Sequence, residues 1–137
     1  METFGTAINC IDGRAQQPVT DWVRLHCNVK FVDMVTCPGA NAVLASFRTD
    51  RARHIVEEVG VSVRKHMSSV IAVAGHFDCA GNPVSYEEHK EQILRCADRI
   101  RNWDFGVRVV GIYVNEWFSI DVVCDSQEDF PQIKSWL

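Results

Sequence analysis

The sequence has no long apolar run: Val70-Ile71-Ala72-Val73-Ala74 is broken at Gly75, and no run exceeds about six residues, against the roughly 20 a membrane-spanning helix needs. It has no basic block either. With 14 Lys and Arg against 18 Asp and Glu, and a formal net charge of −4, its scattered arginines make no footprint for a nucleic-acid backbone, so no nucleic acid and no membrane is expected as a partner. The first residues, Met1-Glu2-Thr3-Phe4-Gly5, lack the basic segment, apolar stretch and small-residue cleavage site of a secretory leader. A cytoplasmic location, with the six cysteines reduced, is therefore expected. There is no Cys-x-x-Cys, the motif of thioredoxin-type redox proteins and zinc ribbons. Gly-x-Gly-x-x-Gly and P-loop motifs are missing too, and Gln16 stands six residues after Cys10, where a phosphatase-type loop needs Arg. With no repeat, low-complexity stretch or linker, residues 1–137 are read as one domain, long enough to hold a core without disulfides.

What is present is an alternation of short apolar runs and helical periods. Thr6 to Ile11, closed by Asp12-Gly13, suits a buried strand, as do Phe31 to Val35, Ser69 to Ala74 and Val107 to Val114. A turn at Asn115-Glu116-Trp117 would fold the last of these back onto Phe118 to Cys124. Between them, Ala52, Ile55, Val56, Val59, Val63 and Met67 share one helical face behind Asp50 as N-cap. Ser85 and Glu88 make a capping-box pattern before Ile93, Leu94, Ala97 and Ile100, and a shorter helical segment runs from Pro18 through Leu25. Strands alternating with helices predict an α/β fold: three layers, a mostly parallel sheet of order 2-1-3-4 with an antiparallel edge strand, and helices on both faces. In such sheets sites lie beyond the carboxyl ends of the strands where the order reverses, here between the first and third strands.

Those two ends carry Cys10-Ile11-Asp12-Gly13-Arg14 and Gly75-His76-Phe77-Asp78-Cys79. If the strands are neighbours, Cys10, His76 and Cys79 converge. Two thiolates and an imidazole suit Zn²⁺ and leave the fourth tetrahedral position for water, which makes the site a catalytic type. Chance would give a Cys-x-Asp-x-Arg match about 0.03 times and His-x-x-Cys about 0.2 times in a chain of this composition. Zinc generates hydroxide from bound water, but two thiolates cancel its formal charge, so a carboxylate beside it becomes useful. Asp12 can accept a hydrogen bond from that water and orient it, while the planar fork of Arg14 holds Asp12 ionised. The plain alternatives are a buried Cys10, a turn ion pair between Asp12 and Arg14, and a His76 that caps a loop.

With Cys10, Asp12 and Arg14 followed by Gly75, His76 and Cys79, the sequence resembles the β-class carbonic anhydrases, whose signature is Cys-x-Asp-x-Arg and then Gly-His-x-x-Cys. The resemblance implies zinc held by Cys10, His76 and Cys79, reversible hydration of CO₂ to bicarbonate, an Asp12–Arg14 pair beside the metal, and a homodimer or higher homo-oligomer. In some relatives the equivalent Asp binds the metal. The chain departs from the family after its second strand, where Thr36-Cys37-Pro38-Gly39-Ala40-Asn41 replaces the usual Arg-Asn-Ala-Gly-Asn, and at Ala80, usually Gly. It is also short and lacks the family's N-terminal helical arm. The same metal chemistry would serve COS or CS₂, or the domain could keep zinc without turnover.

Other residues receive ordinary readings. Asp78 is read as fixing the turn between the candidate ligands, and Cys27, Cys37, Cys96 and Cys124 as core thiols. His26, His54, His66 and His89 are placed on solvated helix faces or ends. Trp22, Trp103, Trp117, Trp136 and Phe118 are read as core or subunit-interface anchors.

Overall fold

The computed structural model describes residues 2–46 and 49–128. Five strands, β1 (Phe4–Asn9), β2 (Phe31–Thr36), β3 (Val70–His76), β4 (Arg108–Val114) and β5 (Ile120–Asp125), form one sheet of order β2-β1-β3-β4-β5. The first four are parallel and β5 pairs antiparallel with β4, with a register shift between Gly111 and Ile112. The layered α/β architecture and the strand order agree with the sequence expectation.

The runs at β1, β3 and β4 are strands buried on both faces, whereas β2 at the edge is mostly half-buried. On one face Ile8, Ile71, Val73, Val109 and Tyr113 pack against α2 (Ala40–Ser46), α3 (Asp50–His66) and α4 (Tyr86–Arg101). On the other, Ala7, Ala72, Ala74, Val110, Ile112 and Val114 pack against Ala15, Val19 and Val23 of α1 (Gly13–His26). Every residue of β3 is buried, as a central strand covered on both sides requires.

Several local expectations are corrected. Helix α1 begins at Gly13, five residues before the expected start, because the Asp12 side chain caps it by accepting from the Arg14 N–H; Pro18 is inside the helix. Thr49, not Asp50, caps α3, its Oγ1 accepting from the Ala52 N–H at 3.1 Å. Met67 is 78% exposed, since it ends α3 in the left-handed conformation (φ 56°) and so leaves the apolar face. Ser85 caps α4 as expected, accepting from Glu88 N–H, but the buried stripe is His89, Ile93, Cys96, Ala97 and Ile100, whereas Leu94 is 48% exposed. His89 is therefore a core residue and not on a solvated face. Trp117 and Phe118, in the β4–β5 turn, are exposed and not in the core; Trp136 lies outside the described residues.

Candidate metal centre

The chain leaves β1 at Asn9, and that residue sets the path of the bend after it. Buried Asn9 accepts from Cys10 N–H through Oδ1 at 2.9 Å and donates through Nδ2 to the Ala15 carbonyl at 3.1 Å. Gln16, one helical turn into α1, donates to the carbonyls of Cys10 (2.7 Å) and Asp12 (3.0 Å). Three of these bonds tie the chain from Asn9 to Asp12 to the start of α1. The second segment leaves β3 at His76 and turns through Asp78, which adopts a left-handed conformation (φ 55°) tolerated by Asp. Because β1 and β3 are adjacent, both segments emerge at the same sheet edge.

Cys10, His76 and Cys79, all at most 5% exposed, place one donor atom each within 4.8 Å of one another, the one such cluster among the described residues. Cys10 Sγ lies 3.8 Å from Cys79 Sγ. Two sulfurs bound at about 2.3 Å to a tetrahedral ion stand about 3.8 Å apart, so this separation is already that of a metal-bound pair. The His76 ring agrees: Nδ1 lies 2.8 Å from the Phe77 carbonyl and must carry the proton that is donated to it, which turns the Nε2 lone pair inward. Nε2 is the one buried side-chain nitrogen or oxygen among the described residues with no hydrogen-bond partner. An orphaned polar atom is costly in an interior and ordinary in a residue that ligates an ion.

The sulfurs have further neighbours. Gly39 N–H donates to Cys10 Sγ at 3.4 Å, and backbone N–H groups of Gly81 and Asn82 reach Cys79. Burial, and then the facing Cys10, push the Cys79 thiol up. Two buried thiolates this close need a cation between them to ionise together, which is what a divalent ion supplies. Burial also pushes up Cys37, a core residue beside this cluster, and takes Cys96 to about 12.

Asp12 and Arg14 form the fork that the sequence suggests. Arg14 Nε donates to Asp12 Oδ1 at 3.0 Å and Nη2 to Oδ2 at 2.7 Å. The guanidinium holds the Asp12 carboxyl down at about 2, against the modest opposing effect of burial. Arg14 also reaches the other segment, donating to the Asp78 carbonyl at 3.1 Å and pairing with its carboxylate at 3.4 Å. Asp78 therefore takes the turn-fixing place expected of it, and one arginine braces both segments. Asp12 Oδ2 stands 4.0 Å from His76 Nε2, beside the cluster and outside it.

The space against His76 is small. A cavity of about 10 Å³ is lined by Arg14, Ala15, His76, Phe77, Val114 and Phe118, among others. A cavity of about 500 Å³ between Phe77, Tyr86, Tyr113 and Trp117 touches none of the three candidate ligands.

A family model described as "Putative carbonic anhydrase" matches residues 1–124. The chain belongs to this carbonic anhydrase family. Solved structures with the same fold include a β-carbonic anhydrase of Trichomonas vaginalis (14% identity, TM-score 0.58, covering 88% of this chain and 82% of that one). A carbon disulfide hydrolase in its apo form aligns at 13% identity and TM-score 0.59, over 88% of this chain and 77% of the other. A tetrameric β-carbonic anhydrase of Sordaria macrospora aligns at 12% and 0.54, over 91% and 83%. Among curated proteins, none matches the sequence significantly. At these identities the solved structures show the carbonic anhydrase fold alone. No described helix is long and apolar enough to cross a membrane.

Some residues at the centre carry no signal in the sequence. Asn9 and Gln16 act through backbone carbonyls and amides, which a motif search does not see. His89, Asn41, Gln92 and Asn82 form a buried polar cluster behind Gly75. His89 did leave a trace: it precedes Ile93 by four residues and Cys96 by seven, on the helical stripe that is buried.

Proposed function

We propose that this chain is a zinc lyase that interconverts CO₂ and bicarbonate, with Cys10, His76 and Cys79 holding the ion and Asp12 and Arg14 serving the reaction. The supporting observation is the buried, partnerless His76 Nε2 facing two sulfurs already set 3.8 Å apart. Cys10, His76 and Cys79 would hold a zinc ion there, which would supply Lewis-acid activation of a water molecule.

The protein's own groups account for the rest. The Phe77 carbonyl fixes the His76 tautomer, so Nε2 is available at all times as a donor to the ion. Asp12 is an orienting acceptor and not a proton store. With its carboxyl held at about 2 it is too weak a base to keep a proton at neutral pH, but Oδ2 has a further lone pair with which to accept a hydrogen bond from water and fix its direction. Arg14 donates to both Asp12 oxygens and so keeps the carboxylate ionised and fixed in direction beside the three candidate ligands. The proton released as CO₂ and water become bicarbonate passes to solvent. Ala15, Phe77, Val114 and Phe118 supply the apolar side of the small space beside His76, which at about 10 Å³ is on the scale of a single water molecule.

COS and CS₂ are of similar shape, and the same residues would act on them. Stopped-flow measurement of CO₂ hydration by the zinc-loaded protein, with sulfide release from COS and CS₂ measured in parallel, separates the readings. Hydration of CO₂ lost in Asp12→Ala supports the proposal. Turnover of the sulfur compounds alone assigns the site to them, and zinc with no turnover makes the chain a zinc-binding domain without catalysis. We read the chain as one cytoplasmic domain, which suits its six cysteines without disulfides among the described residues, and as a homodimer or higher homo-oligomer, which suits the exposed Trp117 and Phe118.

A further inference from the structure

Behind the candidate centre, on the α2 and α4 side of the sheet, the buried side chains of Asn41, Asn82 and His89 meet half-buried Gln92. Asn41 Nδ2 lies 3.0 Å from His89 Nδ1 and donates to Gln92 Oε1 at 2.9 Å. Asn82 Nδ2 donates to the same Gln92 oxygen at 2.7 Å. Because an amide nitrogen donates, His89 Nδ1 accepts and the ring is neutral, with its proton on Nε2; the ring also hydrogen-bonds the Asn82 backbone. His89 is 1% exposed and has no carboxylate partner, so it is neither a surface group nor an ion pair.

The ends of this network identify its task. Asn82 is three residues beyond Cys79 and its backbone N–H reaches the Cys79 sulfur. Asn41, the second residue of α2, follows two residues after Gly39, whose N–H donates to the Cys10 sulfur. The two loops also touch directly: a Cβ on Gly39 would stand 2.7 Å from the Gly81 carbonyl oxygen, and one on Gly81 would stand 3.0 Å from Gly39 N. Gly75, the residue before His76, lies against the network so closely that a Cβ there would be 2.8 Å from His89 Nδ1. Asn41, beside the loop that donates to one sulfur, and Asn82, on the loop that carries the other, are thus joined through His89 and Gln92 of α4 and by Asn82 Nδ2 donating to Asn41 Oδ1 at 3.5 Å, while the strand that bears His76 is pressed against His89 and Asn41.

We propose that Asn41, His89, Gln92 and Asn82 are a positioning network that locks the Cys79 loop to the Gly39 loop, presetting the sulfur separation and the N–H donors of both thiolates before metal arrives. This deepens the proposed function, resting on its assignment of Cys10, His76 and Cys79 as ligands but not on the substrate. A network that only filled the core would be replaceable by apolar side chains of similar shape without consequence for the metal. A positioning network would not be.

The test compares His89→Leu, Gln92→Leu and His89→Gln with the parent protein. Zinc affinity is read by competition with a chromophoric chelator, the thiolate-to-metal band is read with Co²⁺ alone, and the urea midpoint of each metal-free protein is recorded beside them. Both leucine variants are expected to bind zinc about tenfold more weakly, with an altered Co²⁺ band, and His89→Gln, which can accept from Asn41 and donate to Asn82, to return within about twofold of the parent. Leucine variants that bind within about twofold of the parent, or a His89→Gln as weak as His89→Leu, would overturn the proposal. Should His89→Leu not fold, Gln92→Leu, at a half-buried position, decides on the same criteria. A parent that binds zinc but hydrates no CO₂ removes the proposed function and leaves this comparison intact. A parent that hydrates CO₂ with unchanged affinity in the leucine variants removes only the network.

Discussion

The sulfurs of Cys10 and Cys79, 69 residues apart in the chain, stand 3.8 Å from each other at the carboxyl edge of the sheet with the unpartnered His76 Nε2 facing them. An ion held at such a site would bind the folded chain in preference to the unfolded one and would stabilise the fold by mass action. Chelation of the loaded protein should lower its unfolding midpoint, and added zinc should restore it. At a free zinc concentration about a thousand times the dissociation constant the difference is about 4 kcal/mol. Calorimetry with and without chelator measures it, and identical midpoints would contradict it.

Asp12 touches the cluster without belonging to it, so binding and turnover should separate there. Asp12→Ala is expected to keep its zinc and to lose hydration by about a hundredfold or more, the scale of a positioned proton-handling group. Metal analysis and stopped-flow rates on the same preparation check both halves. Full activity would remove the role given to Asp12.

Arg14 holds the Asp12 carboxyl at about 2, below its unfolded value near 3.9. A depressed carboxylate contributes stability that is fully present above the unfolded value and is lost as pH falls through the folded one. The stability of the metal-free parent minus that of Arg14→Ala should therefore be constant above about pH 5 and shrink as pH falls toward about 2. The pair is largely solvated, so the difference is small. Urea unfolding across that range tests it; a difference that grows on acidification would be the wrong sign.

Gly39 combines a left-handed backbone (φ 58°) with the close approach to Gly81. Gly39→Ala adds strain and a collision against backbone, so a loss of about 2 kcal/mol in urea unfolding is expected, together with weaker zinc binding, because the N–H that meets Cys10 must move. A variant as stable as the parent would show that the two loops separate at little cost.

Much of this was legible in the sequence. The strand order could be read from fully apolar runs between helical periods, and the candidate centre from two short motifs, since adjacency of the first and third strands brings Cys10 to His76 whatever lies between. Helix α2 was not legible: seven residues, Ala40 to Ser46, with hardly a polar face, make no period to detect. The early start of α1 was hidden because Asp12 was already spoken for as the partner of Arg14, and it is the N-cap as well. His89 was missed because histidine is polar by class, although its spacing to Ile93 and Cys96 put it on the buried stripe. Residues that serve two purposes, and polar groups satisfied by partners distant in sequence, leave little trace in a linear pattern.

Trp117 and Phe118 are 76% and 57% exposed on the β4–β5 turn, two adjacent apolar side chains that suit a subunit contact. Replacing both with Ser should shift the protein toward monomer in size-exclusion chromatography with light scattering. An unchanged mass would place the subunit contact elsewhere or nowhere.

The most direct test is the metal content of the protein purified without chelator, measured beside that of Cys79→Ala. About one zinc per chain in the parent and almost none in the variant is the expected result. A parent that carries no metal, and takes up none when zinc is supplied, would contradict the assignment of Cys10, His76 and Cys79 and the chemistry built on it.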